Sequence, residues 1–316
     1  MAHPQLNTVI LDYVGDPTEG PKIIDIPKGL SIVNRKSYRS GYIYSVDFIE
    51  YIPDVGAPGA QNEVTIAHLP NSYPILNAYQ LGFENWKEQR AEAIGETGIQ
   101  PGRWSDFKPF YNEDHQNGTF GELEVRGIGT GFALQELDRT GGEWNRAELI
   151  RNDVGAATTT TINVGMLGDD NLAAAYGSLI EAYGDTRVAT LSPDPLLPVV
   201  ASQSWITRTG EASAAMTLEV VDLIEDENER PPYANQNDVT LPPTYVGNSE
   251  SHVPLGMLMD RAVTGSTGRA VNLDGGLVPL GLLAINVAGT ELYTIRVHVT
   301  RGDYKGVAAK VMGDFD

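Results

Sequence analysis

Cysteine is absent from this 316-residue chain, which removes disulfides and thiolate metal sites together. Lysine is nearly as scarce. Its seven lysines and fifteen arginines face 42 carboxylates, for a net charge of −20. No cluster of Lys and Arg occurs anywhere, so direct binding of nucleic acid is not expected. No apolar run approaches the ~18 residues needed to span a bilayer. Met1 leads into a polar segment, so no signal peptide is expected.

Motifs of chemistry are missing too. The five histidines are His3, His68, His115, His252 and His298; no two share the spacing of a helical zinc pair, and there is no HExxH. No GxSxG elbow is present, and Ser178 in YGSLI falls inside an expected helix. GRAVNLDGG and GIGTG (127–131) lack the features of a phosphate loop and read as turns. His115, in the polar stretch NEDHQNG, and His298, on the wet face of a strand, read as surface residues rather than ligands. Asp222, Glu225, Asp226, Glu227 and Glu229 form one acidic run, and Asp169 and Asp170 form a pair. Hard cations take such oxygens, but neither group has EF-hand spacing, and a solvated acidic loop is the simpler reading. No catalytic, cofactor-binding or metal residue, and no cofactor, is assigned.

The acidity allows two readings. One is a soluble acidic surface. The other is a surface kept hydrated in high salt, where screening is nearly complete.

What the chain does have is strand pattern. In residues 293–300, Tyr293, Ile295, Val297 and Val299 alternate with Thr294, Arg296, His298 and Thr300, the period of a strand with one wet face. LVPLGLLAINV (277–287) is apolar on both parities and reads as one strand covered on both sides. NTVILDY (7–13), KIIDIP (22–27), GLSIVNR (29–35), GYIYSVDFIEYI (41–52) and EVTIAHL (63–69) read as strands. In the fourth, Tyr42, Tyr44, Val46, Phe48 and Ile52 share one parity. WSDFKPFYN (104–112), ELEVR (122–126), ELI (148–150), TTTTINVGML (158–167) and RVATL (187–191) follow, and 214–229 is assigned as strand. RGD (301–303) reads as a hairpin turn.

Two segments change period. From about 73 to 95, Leu76, Tyr79, Phe83, Trp86, Ala93 and Ile94 mark one face of an amphipathic helix, with Ser72 as N-cap and Gly95 as stop. A second helix is expected over 170–183, with Leu172, Ala175, Tyr176, Leu179, Ile180 and Tyr183 on one face. In all, roughly sixteen strands and two helices, with no strand–helix alternation, give an all-β fold. A jelly-roll β-sandwich limits exposed edges, and the length accommodates two in tandem, with both helices inserted in the N-terminal half. The three prolines of SPDPLLPVV place the boundary, giving an N-terminal jelly roll over 1–192 and a C-terminal one over 193–316. One jelly roll with long insertions is the alternative.

Several segments resemble capsid proteins of small tail-less icosahedral viruses, especially environmental single-stranded DNA viruses. They are NAYQLGFENWKEQ (77–89), GRWSDFKPFYN (102–112), GGEWNRAELI (141–150), GMLGDDNLAAAYGSLIEAYGDTR (165–187), ENERPPY (227–233), HVPLGML (252–258) and GDYKGVAAKVMG (302–313). The resemblance implies a jelly-roll major capsid protein, located in the virion, assembled in the host cytoplasm, and carrying no catalytic residues. Its partners would be copies of itself in homo-oligomeric capsomers, trimers if each chain holds two barrels, and other virion proteins at vertices or spikes. The chain departs from many such coats in lacking a basic N-terminal arm, since MAHPQLNTVILDY carries none. That fits a shell with an internal membrane or separate inner proteins, or a virus of a salt-loving host. A viral spike or glycan-binding β-sandwich is the second expectation, and a carbohydrate-active enzyme the third.

Overall fold

A computed structural model describes residues 8–54, 62–98, 105–128, 134–136, 144–152, 159–188, 256–264, 269–289 and 291–313. By contacts the chain divides into Met1–Ala182 joined with Val246–Asp316, and Tyr183–Tyr245. Of the second unit only residues 183–188 are described, and the expected strand at 214–229 lies outside the described residues.

The fold is mostly β with few helices, consistent with an all-β sandwich. It starts from an alternating strand, β1 (Ile10–Gly15), which buries Leu11 and Tyr13 and leaves Ile10 exposed. β2 (Lys22–Asp25) leads directly into α1 (Ile26–Asn34). GLSIVNR is therefore helix, not strand. The Asp25 carboxylate caps the helix by accepting the Lys28 N–H at 2.9 Å, and Pro27 sits in the first turn, where its missing N–H costs nothing. Gly29 lets this helix approach β1, because a Cβ there would lie 2.3 Å from the Tyr13 hydroxyl.

β3 (Tyr42–Pro53) has the expected extent but not a single parity. Tyr44 and Val46 are buried, and then Ile49 and Tyr51. The pairing with β14 (Tyr293–Val299) shifts register between His298 and Val299, leaving Asp47 as an extra residue on β3. A bulge of one residue moves every later side chain to the opposite face. β14 itself alternates as expected, with Tyr293, Ile295, Val297 and Val299 buried.

β4 (Asn62–His68) is followed by a long excursion, residues 69–256, before β11 (Met257–Thr264). β12 (Val271–Pro279) and β13 (Leu282–Ala288) come next. LVPLGLLAINV is thus two strands. Leu280 and Gly281 both have positive φ, 58° and 66°, and turn the chain from one sheet to the other. β15 (Ala309–Val311) pairs with the start of β3. The tight turn before it is Lys305–Gly306, closed by reciprocal backbone bonds between Tyr304 and Val307 at 3.0 Å; RGD precedes that turn.

Eight of these strands pair in a nested order. β1 pairs β14, β2 pairs β13, β3 pairs β12 and β4 pairs β11, all antiparallel. The first and third pairs lie in one sheet, ordered β12-β3-β14-β1, and the second and fourth in another, ordered β11-β4-β13-β2. One core lies between them, with Leu11, Tyr44, Ile49, Tyr51, Ile295 and Val297 from the first sheet and Ile24, Val64, Ile66, Leu283 and Ile285 from the second. This corrects the division into barrels over 1–192 and 193–316. Strands from both sides of residue 192 alternate within the same two sheets, so neither set could close a core alone.

The excursion adds to both sheets. β5 (Gly121–Glu122) pairs with β2, β6 (Val125–Ile128) with β1, and β7 (Leu134–Glu136) with β6. It also carries a third sheet of β8 (Glu148–Asn152), β9 (Thr159–Gly165) and β10 (Tyr176–Ser178). Residues 105–112 do not form the expected strand; they run past β9 with a single bridge at Phe110 and Gly165.

The first expected helix is α2 (Tyr73–Thr97), with Ser72 as N-cap position, although its side chain makes no cap bond. Its buried face is Ile75, Ala78, Tyr79 and Gly82, one position off the expected register at its start. It runs past Gly95 and stops at Gly98, whose φ is 65° and whose N–H bonds Ile94 O at 2.8 Å. The second expected helix, 170–183, breaks in the middle. Leu172–Ala174 form one 3₁₀ turn, β10 follows, and α4 is Leu179–Val188. Ala175 takes φ 54°, and Tyr176 is fully buried with its hydroxyl on Leu167 O at 2.5 Å. Gly165 makes room for that ring, since a Cβ there would lie 2.0 Å from the hydroxyl. Burying the tyrosine in an extended segment outweighs continuing the helix. RVATL (187–191) enters as the end of α4, and its last three residues lie outside the described residues.

Candidate functional site

The main concentration of buried charge lies where the excursion meets β2 and α1. β5 runs parallel to β2 with Ile23 opposite Glu122, which brings Glu122 close to Asp25 and Lys28 at the start of α1. The short α3 (Glu113–Gln116) supplies His115, and the segment before β8 supplies Arg146. Glu122 accepts from Lys28, from Arg146 (Nε at 3.1 Å) and from His115 (Nε2 at 2.9 Å). Lys28 also reaches Glu124 at 3.2 Å. Arg146 Nη2 lies 2.9 Å from Asp25 Oδ2, a contact that is ionic rather than a well-aligned hydrogen bond. Two cations, Lys28 and Arg146, therefore face three carboxylates around a buried imidazole, one negative charge in excess.

Burial alone would raise the Glu122 pKa. Arg146, the His115 hydrogen bond and Lys28 overcome it and hold the carboxyl well below its usual range. Burial would likewise discharge Arg146, but Glu122 and Asp25 raise its pKa above the usual value. His115 is pushed the other way, its pKa lowered first by burial and also by Arg146.

The imidazole has no nitrogen to spare. Its Nδ1 accepts the Tyr111 N–H at 3.1 Å, so the proton sits on Nε2 and is donated to Glu122. Glu122 in turn already accepts from three side chains, Arg146 through two of its nitrogens. The arrangement holds charge in place and offers neither a free base nor a free nucleophile. Its value is in joining elements, because losing one partner of such a buried network strands the others.

Beside the cluster, sharing Arg146, is a pocket of about 710 Å³ lined by Trp86, Asp106, Lys108, Phe110, Trp144 and Glu148. Its tryptophans carry the chain's own cations: Lys108 lies 5.1 Å from the Trp144 ring centre and Arg90 5.1 Å from that of Trp86. Asp106 accepts the Ser40 N–H at 2.9 Å, and burial raises its pKa. A second cleft, of about 700 Å³, lies on the outer face of the first sheet between Ile43, Leu277, Leu76 and Tyr304.

The sequence-level candidates scatter. His115 is buried rather than a surface residue, at 6% exposure. His298 does lie on the outer face of β14, half-buried, with its ring stacked on Phe48 at 3.9 Å. Asp170 accepts the Ser178 N–H and so organises the entry to β10 and α4. Ser178 ends a strand instead of sitting inside a helix, and it is buried. His3, His252, Asp222, Glu225, Asp226, Glu227 and Glu229 lie outside the described residues. Among the described residues, no group of three or more His, Asp and Glu is placed to hold a metal ion, and no helix is long and apolar enough to cross a membrane.

Lys28, Glu122, Glu124 and Arg146 were not anticipated. The available signal was IDIPKGL, where Asp25 and Lys28 interrupt an otherwise apolar run and so need buried partners. Nothing local indicates that the partners come from residues 122–146.

Compared with known proteins, the chain matches no family model, no curated protein and no solved structure.

Proposed function

We propose that this chain is a viral major capsid protein built on one jelly roll, with residues 69–256 inserted between its fourth and fifth strands. The observation that carries the reading is the nested pairing of first with last, second with seventh, third with sixth and fourth with fifth strands, dealt alternately into two sheets. A long hairpin rolled up once gives this order, and it is the way an eight-stranded jelly roll closes. The segments that resemble coat proteins support it. They populate the insertion and the last turn, where the chain elaborates the barrel.

In this reading the barrel is a stiff wall, and function lies in how copies meet. The trimer rested on two barrels per chain and is not carried forward; self-association through capsomers is. Copies with a net charge of −20 repel one another at low ionic strength, so assembly requires salt. The test is electron microscopy of the purified protein across a salt series. Closed shells of uniform size at high salt are expected. A monomer at every salt concentration would overturn the reading.

The second reading, a glycan-binding sandwich, draws on the Trp86–Trp144 pocket. Binding on a glycan array with no assembly at any salt concentration would favour it.

A further inference from the structure

We propose that His115 is an acid-triggered latch within the insertion: neutral, it clamps Tyr111 to Glu122 and holds the turn of residues 111–120 against β5; charged, it cannot keep both bonds, and the turn releases. The ring spans two segments through two bonds of opposite sense. Nδ1 accepts from the Tyr111 backbone at 3.1 Å, and Nε2 donates to Glu122 at 2.9 Å. A proton added to Nδ1 would point at the Tyr111 N–H, setting donor against donor. The main chain has little freedom to yield, because the His115 N–H is itself held by Asn112 Oδ1 at 3.0 Å and Phe120 N bonds Asp114 O at 2.8 Å.

The surroundings do not rescue the charged form. β5 presents Glu122 and the next residues Glu124; α1 and its cap present Lys28 and Asp25; the segment before β8 presents Arg146. The carboxylates outnumber the cations by one, and Glu122 and Asp25 do favour the charged ring, but burial first and Arg146 with it outweigh them. β9, packed on α3, has no titratable side chain. On α3 itself, Glu113 is bonded to Asn171 and Asp114 lies one residue from the ring. Phe110 meets the imidazole edge-on at 5.3 Å. Release would uncover Tyr111 and Phe120, both buried in the neutral state.

The sign follows from linkage. His115 has its folded pKa lowered from 6.5, so between that lowered value and 6.5 the released state binds the proton that the latched state refuses. The latch is fully closed above pH 6.5 and weakens as pH falls through that window, about tenfold for each unit by which the pKa is lowered.

Native-state hydrogen exchange on the full chain, corrected for intrinsic rates, reads this directly. Peptides covering residues 111–123 should exchange severalfold faster at about pH 5 than at about pH 7.5, while β3 and β14 do not change. In His115→Gln, whose amide keeps a donor for Glu122 and cannot titrate, the pH dependence should vanish. Equal protection at both pH values in the parent, or the same dependence surviving in the variant, would overturn the proposal. Should His115→Gln fail to fold, ring-nitrogen NMR of the parent chain decides. The Nε2–H tautomer at neutral pH is expected, and an Nδ1–H tautomer or an imidazolium would sink the idea.

Discussion

The two edges of the sandwich are finished in different ways. At the β1/β2 edge the chain covers itself: β6 adds to one sheet and β5 to the other, and a buried charge network pins the addition to α1. At the β11/β12 edge no further strand is added among the described residues. There Met257, Leu258, Val263 and Leu277 are exposed, and protection comes from detail. β11 carries a register shift between Leu258 and Asp260, and Asp260 accepts the Asp274 N–H at 2.8 Å, tying the two edge strands together. Bulges and charges are the usual devices against unwanted strand pairing. One edge is therefore stabilised by burial, and the other is guarded with little burial. Substitutions of similar size should have very different consequences at the two.

The largest effect is expected at Arg146. Arg146→Ala leaves Glu122 and Asp25 buried without their principal cation, at a cost of roughly 3–5 kcal/mol. Denaturant unfolding should show the loss, and exchange should locate it in 111–123 before the strands of the two main sheets. Glu122 adds an acid limit. Its folded pKa lies below its unfolded one, so its contribution is present above the usual carboxylate range and is lost as pH falls below it. A parent protein that holds its stability well below pH 4 would contradict that assignment. Next comes Leu123→Ala on the covered edge, where a buried leucine loses roughly 2–5 kcal/mol by leaving a cavity.

The covered edge also marks what could not be read from the sequence. β1, β4, β14 and α2 announce themselves by period, because each presents one buried face to the core. α1 was hidden: the apolar run masked an Asp cap and a Pro in the first turn. The bulge at Asp47 was hidden as well, since parity in β3 changes only where a partner strand slips. Tyr176 defeats the helical period of 170–183 because its pocket is made by Gly165, a residue on another strand. The all-β class came through, but the nested pairing did not. Pairing is a long-range choice, and a chain read in order suggests two consecutive units where strands from both ends of the chain share the same two sheets. The charge cluster was illegible for the same reason, with its members spread from Asp25 to Arg146.

On the guarded edge, Asp260→Ala should remove the bond to Asp274 and one to the Arg261 N–H at 2.7 Å, costing about 1 kcal/mol. The more telling result is a rise in aggregation on mild heating, measured by light scattering, as the tie between the edge strands is lost. Unchanged aggregation would mean that the bulge alone guards this edge.

The smallest effect should come from Val263→Ala. Val263 is 61% exposed on β11, and surface changes of this kind stay within roughly 0.5 kcal/mol. Against Leu123→Ala it isolates burial as the variable, because both are aliphatic truncations on strands or links at a sheet edge. A cost above about 1 kcal/mol would mean that Val263 is covered in solution. Repeating the unfolding over a range of protein concentration then separates the causes. A cost that grows with concentration places another copy of the chain on this edge. A cost independent of concentration places some other part of the same chain there, and the two edges would then be alike after all.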